Sequence, residues 1–312
     1  MRTLSFWSGL KSDDRGACAA IGNFDGVHMG HQSVIDIARS HAQKSGAPLG
    51  IVTFEPHPRE YFNADAAPFR LMNAETRAHR LEKLQVDRLY QLGFDAVLAN
   101  LTAKQFAQEV LTDGLGLSHV VVGSDFQFGK NRGGTVEMLK TYGEAMGFGV
   151  TVAELVKNDG LEVSSTAIRN ALADGKPQEA ATMLGHWHRI DGEVLGGDQR
   201  GRELGYPTAN MSVNRLHPPK FGIYAVKVDV LTGPHKGVYN GAASVGIRPM
   251  FGENKPNLET FIFDFSGDLY GEHLSIAFVE YLRPEEKFDG LDALVAQMDQ
   301  DCARARTILA VV

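Results

Sequence analysis

Apolar and polar positions along the chain fall into two textures. Through the first half, short apolar runs alternate with longer segments that carry apolar residues at helical spacing. "ACAAIGNF", "LGIVTFEPHP" (broken by its prolines), "HVVVGSDF" and "GVTVAEL" read as buried strands, and "FDAVLANL" reads as another. "HQSVIDIARSHAQKSG", "TAKQFAQEVLTDGLG" and "TVEMLKTYGEAMG" read as helices, and the leucines of "AETRAHRLEKLQVDRLYQLG" predict a helix closed by its glycine. Apolar strands separated by helices imply a parallel sheet covered on both faces.

The texture changes near residues 183–190. Beyond it come the short strands "GIYAVKVDVL", "VYNGAASVGI", "ETFIFDF" and "HLSIAFVEYL", separated by turn signals such as "LTGPHKG" and "SGDLYG". That pattern predicts a small antiparallel barrel. "FDGLDALVAQMDQDCARARTILAVV" predicts a closing amphipathic helix with Leu291, Leu294, Val295 and Met298 on one side. The expected class is therefore α/β, with domains at 1–183 and 184–312.

Composition narrows the classes of function. The 312 residues suit two domains, and 43% hydrophobic with 22% charged residues describes a globular chain. A formal net charge of −7 argues against a dominant nucleic-acid or membrane-surface role. Cys18 and Cys302 are too few for a disulfide framework or a thiolate zinc site. No stretch approaches the roughly 20 apolar residues of a membrane span. The opening segment lacks the apolar core of a signal peptide, so a cytoplasmic location is expected.

Two stretches carry candidate chemistry. "GNFDGVHMGH" (22–31) stands where the first apolar strand hands over to a helix. Gly22, Gly26 and Gly30 let backbone amides approach a phosphate, and His28 and His31 can aim imidazole N–H groups at phosphate oxygens. A metal pair or a plain polar turn are the rival readings. "VSSTAIRNAL" (163–172) offers Ser164, Ser165 and Thr166 as a helix cap with Arg169 inside the first turn, which is an ordinary N-terminus or a second phosphate cradle. In the second half, "GGDQRGRELGYPTAN" (196–210) is glycine-rich with two arginines, and its Thr208 and Asn210 offer oxygens to a hard cation. A surface loop explains the same residues. No G-x-x-x-x-G-K-S/T is present, so there is no P-loop.

Taken together in this order, "GNFDGVHMGH", "TFEPHP", "VVGSDFQFG" and "SSTAIR" resemble the H-x-G-H nucleotidyltransferases, and within them the adenylyltransferase half of the bacterial bifunctional riboflavin kinase/FAD synthetase family. "GRELGYPTAN" and "ETFIFDFSGDLYG" resemble the flavokinase half, so the resemblance runs essentially end to end. It implies a Rossmann-like nucleotidyltransferase domain followed by a riboflavin kinase-like barrel. The implied substrates are riboflavin, FMN and ATP, with Mg2+ as the divalent cation and neither nucleic acid nor membrane as partner. Riboflavin would be phosphorylated to FMN, and FMN adenylylated to FAD with release of pyrophosphate.

By the same resemblance, His28, His31, Ser165 and Arg169 hold the ATP phosphates in adenylyl transfer, with Gly22, Asn23, Phe24, Asp25, Gly30, Ser164 and Thr166 completing that site. Asp125, Phe126 and Phe128 lie on its flavin side. In the kinase, Gly201, Arg202, Gly205 and Pro207 attend ATP, Thr208 and Asn210 the Mg–ATP complex, and Arg248 and Arg283 the flavin. Glu259 corresponds to the carboxylate that takes a proton from the ribityl hydroxyl. Three positions depart from the usual pattern: Gln127 stands where arginine is frequent, and "SVGIRPMF" puts Ser244 and Met250 where the family commonly has asparagine and threonine. Ser244 and Met250 keep open an alternative, a single-activity FMN adenylyltransferase whose barrel binds flavin without phosphorylating it.

Overall fold

The computed structural model describes residues 1–154, 157–158, 161–196, 205–213, 215–250 and 253–312, with side chains outside the description at 157–158, 161–162, 248–250 and 253–255. Gly201 and Arg202 lie outside the described residues, as does the side chain of Arg248. Two compact units emerge: Met1–Ala66 with Arg77–Val163, and Ala67–Thr76 with Ser164–Val312.

The first unit is built on six parallel strands: β1 (Arg2–Leu4), β2 (Cys18–Ile21), β3 (Leu49–Glu55), β4 (Arg88–Gly93), β5 (His119–Gly123) and β6 (Gly149–Ala153). Their order is β1-β4-β3-β2-β5-β6. The chain runs outward from β2 to β3 on one side and later to β5 on the other. The carboxyl end of β2 is therefore the switch point where open parallel sheets collect ligands. β2 is buried throughout and is small (Cys-Ala-Ala-Ile), so Ala19, Ile21, Val52, Val120 and Val122 pack in one core.

Two elements differ from the sequence reading, for related reasons. The helix expected over "AETRAHRLEKLQVDRLYQLG" is α3 (Ala74–Lys83) only, preceded along the chain by α1 (Met29–Ser45) and α2 (Pro58–Phe62). Gln85 takes a left-handed backbone (φ 56), and the remaining residues become β4, with Leu89, Tyr90 and Leu92 fully buried. The leucine spacing therefore served two elements. "FDAVLANL", expected as a strand, is instead the short helix α4 (Ala96–Asn100): the Asp95 carboxylate accepts the Leu98 N–H at 2.9 Å and caps it. α5 (Ala103–Gln105) follows and runs on as π-type turns through Phe106–Gly114, and α6 (Val136–Met146) leads back to β6. A hairpin of β7 (Lys157–Asn158) and β8 (Leu161–Glu162) ends the unit.

The second unit holds α7 (Ser165–Ala173), α8 (Pro177–Leu184), and the strands β9 (Arg189–Glu193), β10 (Thr208–Ser212), β11 (Gly222–Val230), β12 (Gly237–Met250), β13 (Glu253–Ile262) and β14 (His273–Arg283). The antiparallel order is β10-β13-β12-β11-β14-β9, and a bridge between Leu195 and Asn210 brings the two edges together as a nearly closed barrel. Its interior is apolar, with Tyr224, Val226, Val245, Leu258 and Ile276 at its centre. α9 (Leu291–Leu309) covers the outer face. The expected apolar side of this helix is only half right: Leu291 is 64% exposed, and the residues that seat the helix are Ala305 and Leu309, against Ala225, Ala242 and Phe263.

One buried histidine reports on this unit. His188 is 1% exposed, stacks on Phe278, and neither ring nitrogen has a hydrogen-bond partner among the described residues. Burial first, then the nearby His186 and His217, push its pKa from 6.5 down to about 3. The folded chain thus refuses a proton that the unfolded chain accepts below pH 6.5, so His188 costs stability as pH falls from 6.5 toward 3 and nothing above that window. Denaturant melts should show the His188→Phe variant losing less stability than the parent between pH 7 and pH 4; parallel curves would contradict this.

Candidate functional site

The Gly22–His31 loop leaves the carboxyl end of β2 and turns sharply. Phe24 and Val27 both take positive φ (51 and 43), as does Gly26 (88). A β-branched residue in that region is strained by about 1–3 kcal/mol. Burial of Phe24 (1% exposed) and Val27 (0%) offsets the cost. The Asn23 carbonyl is gripped from below: it accepts from the Thr53 hydroxyl at 3.2 Å and from Arg77 Nη1 at 3.4 Å.

Arg77 was not evident from sequence. It sits on α3, is 1% exposed, and its Nη2 donates to Glu55 at 3.0 Å and to Gln91 at 3.3 Å. The guanidinium therefore ties β3, β4 and the loop together. Removing one member of such a buried pair costs about 3 kcal/mol, so Arg77→Ala should lower stability by about that amount in a denaturant melt and loosen the loop. A loss within error would deny it that role. The only sequence signal was an arginine interrupting the inner side of a short helix.

His28 is the N-cap of α1, and its Nδ1 accepts the His31 N–H at 3.3 Å. With Nδ1 used as an acceptor, the neutral ring carries its proton on Nε2. The two imidazoles stack with centroids 3.7 Å apart. Burial, then the neighbouring His28, hold the His31 pKa well below its ordinary value. A neutral His31 is the state suited to donating an N–H to an anion. Gly30 suits this packing: a Cβ there would stand 3.2 Å from the His28 ring, which would have to give by a few tenths of an ångström. Asp25 is buried beside them. Gly22, Asn23, Phe24, Asp25, His28, Gly30 and His31 are thus brought together on one turn of chain at the switch point.

Asp125, Phe126 and Phe128 lie just beyond β5, the strand next to β2. Asp125 and Gln127 are exposed. Phe126 stacks on Phe128 with centroids 5.5 Å apart, and Phe128 is buried against Phe106.

Ser164, Ser165, Thr166 and Arg169 belong to the second unit. Ser164 caps α7, its hydroxyl accepting the Ala167 N–H at 3.2 Å. Arg169 falls in the second turn of α7, not the first as expected, because the helix starts at Ser165. Its Nε donates to the Phe69 carbonyl at 2.5 Å and its guanidinium lies over the Phe69 ring.

On the barrel, strand register assembles a second site. Asn210 pairs with Glu259, Glu259 with Ser244, Ser244 with Ile223, and Ile223 with Arg283. Directly opposed residues share a face of a sheet, so these five form one transverse row. Thr208 and Phe261 begin the next row on the same face. The alternate residues Leu258, Ala243 and Val245 fill the barrel interior, which places the row outside, on the α9 side. Asn257, also outward, donates from Nδ2 to Glu259 Oε1 at 3.4 Å. Thr208, Asn210 and Glu259 present oxygen atoms, the donor set that suits Mg2+. Gly205 and Pro207 precede them in exposed chain, Gly205 with φ 83.

The closing helix is pinned at both ends of this row. Arg283 donates to Asp301 through Nε at 3.0 Å and Nη2 at 2.8 Å. The Tyr206 hydroxyl donates to Asp299, and that bond raises the phenol pKa to about 12. Asp299, Asp301 and Tyr206 were not singled out from sequence; their spacing on α9 carries no motif. Met250, like Arg248, lies on β12 with its side chain outside the description.

Comparison with known proteins finds two family models along the chain. Residues 10–167 match the family model described as FAD synthetase, and residues 184–309 the one described as riboflavin kinase. A bifunctional riboflavin kinase/FMN adenylyltransferase from Pseudomonas fluorescens is 42% identical over 302 residues, covering 96% of both chains. The protein of the same description from Escherichia coli K12 is 36% identical, covering 95% of this chain and 94% of its own. Among solved structures, one from Streptococcus pneumoniae named a macrolide-efflux protein superposes with a TM-score of 0.79 at 31% identity, covering 96% of both chains. No helix among the described residues is long and apolar enough to cross a membrane.

Proposed function

Because the chain belongs to the bifunctional riboflavin kinase/FMN adenylyltransferase family, we propose that it carries out both reactions: riboflavin and ATP give FMN, and FMN and a second ATP give FAD with pyrophosphate. The observation that carries the reading is the match of both family models in one chain, over relatives of the same length. A single-activity adenylyltransferase is not favoured by that match. The two activities are assigned to 1–183 and 184–312, and the reading carries a cytoplasmic location.

In the adenylyl transfer the FMN phosphate attacks the α-phosphorus of ATP. That phosphate is anionic near neutral pH, so the protein has no alcohol to deprotonate. Its work is alignment and stabilisation of the charge that collects on the departing pyrophosphate. The stacked His28 and His31 are suited to donate hydrogen bonds to that charge, from a tight loop in which Phe24, Gly26 and Val27 take positive φ. Arg169 with Ser164, Ser165 and Thr166 is assigned to ATP phosphates in the same reaction, and Asp125, Phe126 and Phe128 to its flavin.

In the kinase a primary alcohol attacks the γ-phosphorus and must lose a proton, which calls for a positioned base. Glu259 is assigned that role: it accepts from Asn257 and stands beside Asn210 in the ladder. Thr208 and Asn210 would hold Mg2+, whose chemistry there is to neutralise charge on the ATP phosphates. Gly201, Arg202, Gly205 and Pro207 are assigned to ATP, and Arg248 and Arg283 to the flavin side. The Asp301 carboxylate accepts from the Arg283 guanidinium and fixes its orientation.

The deciding experiment incubates purified protein with riboflavin, ATP and Mg2+ and separates flavins by chromatography. FMN should appear first and FAD after it. FAD formed only from supplied FMN would overturn the kinase assignment, and no conversion would overturn both.

A further inference from the structure

At the amino edge of the parallel sheet, away from the Gly22–His31 loop, a cavity of about 220 Å³ is lined by Cys18, His41, Lys44, Ser45, Ser118 and His119. Nothing in either reaction uses it. Cys18 and His119 are the first residues of β2 and β5, and His41, Lys44 and Ser45 form the last turns of α1.

The site is built. The His41 and His119 rings stack with centroids 3.7 Å apart. Thr151, on β6, places one hydroxyl between them, 2.8 Å from His119 Nε2 and 3.1 Å from His41 Nε2. Gly149 leaves room for this arrangement: a Cβ there would fall 2.2 Å from His119 Nδ1. Ser118 donates its hydroxyl to the Gly16 carbonyl and Ser45 donates to the His41 carbonyl, and the two oxygens stand 3.4 Å and 3.5 Å from Cys18 Sγ. No cluster of three metal-binding side chains occurs among the described residues.

The charge balance points to an anion. The lining contains a lysine, two imidazoles and two serine hydroxyls, and no carboxylate, in a chain of net charge −7. The groups facing the imidazoles from the surrounding elements are Lys44 of α1, Cys18 of β2 and Thr151 of β6, none of them acidic. Burial and the neighbouring His41 lower the His119 pKa. A bound anion beside the pair would offset that lowering by favouring the charged imidazole.

We propose that this cavity is a second, non-catalytic binding site for a small inorganic oxyanion, phosphate or pyrophosphate, held by Lys44 and the stacked His41–His119 pair. The test uses full-length protein with 15N-labelled histidine, the His41 and His119 imidazole signals being assigned through His41→Gln and His119→Gln. Inorganic phosphate and, separately, pyrophosphate are titrated at pH 6 and pH 8. Both signals should shift saturably, with affinity about tenfold tighter at pH 6, the worth of one added ionic contact. Saturation by both anions assigns a single tetrahedral group, and by pyrophosphate alone the larger ion. Lys44→Ala, an exposed position, should weaken binding about tenfold while FMN and FAD formation are unchanged. Absence of a saturable shift, equal shifts with sodium chloride, or undiminished affinity in Lys44→Ala would each overturn the site. Should His119→Gln fail to fold, the His41 signal followed alone distinguishes the same outcomes.

Discussion

His28→Ala is expected to depress FAD formation by about two to three orders of magnitude and leave FMN formation nearly intact. The side chain has two duties that can be separated. As the N-cap of α1 it satisfies the His31 N–H, and losing a cap costs about 1 kcal/mol. As the proposed N–H donor it would face charge that grows only as pyrophosphate departs, and such contacts weigh on turnover more than on ATP affinity. Thermal melts of the variant should therefore show a small shift beside a large loss of rate. His28→Asn, which restores a capping acceptor, should recover the stability and not the rate. An equal fall in both reactions would mean that the loop supports the whole chain and that His28 has no separate part in adenylyl transfer.

Glu259→Gln reverses the pattern. The amide keeps the shape and can still meet Asn257, yet it takes no proton from the ribityl hydroxyl. FMN formation should drop by about 10²–10⁴-fold, the range that general bases contribute, and FAD formation from supplied FMN should persist. The same strand position makes the test clean: Glu259 lies on the outer face, so the substitution leaves the barrel interior untouched. Kinase turnover within a fewfold of the parent would remove Glu259 from the mechanism.

Much of this architecture was legible in the order of apolar runs, because strand and helix periods differ and glycines mark their junctions. The failures were local. "DRLYQLG" continued a leucine spacing that began in α3, and only the left-handed Gln85 separates the two elements. "FDAVLANL" had strand composition, but a single aspartate cap decided otherwise. The loop motif was readable because glycine and histidine there answer to backbone shape and charge. Arg77 and Thr53, which hold that loop, act from 54 and 30 residues away, and nothing local to either marks the connection. In the barrel, Thr208, Asn210 and Glu259 could be nominated singly, whereas their alignment depends on pairing register, which composition does not encode. Asp299 and Asp301 read as ordinary surface acids until α9 is laid against the strands.

That pairing has a bearing on how such a chain can change over time. Neighbours along β13 face opposite ways, so one codon gained or lost inside the ladder would trade Glu259 for Leu258 or Thr260 and turn a carboxylate into the oily lumen. Length variation among descendants should thus gather in the connections that flank β12 and β13 and spare the rungs themselves. A functional variant with an odd insertion between Ser244 and Glu259 in the paired segment would have had to rebuild the register elsewhere.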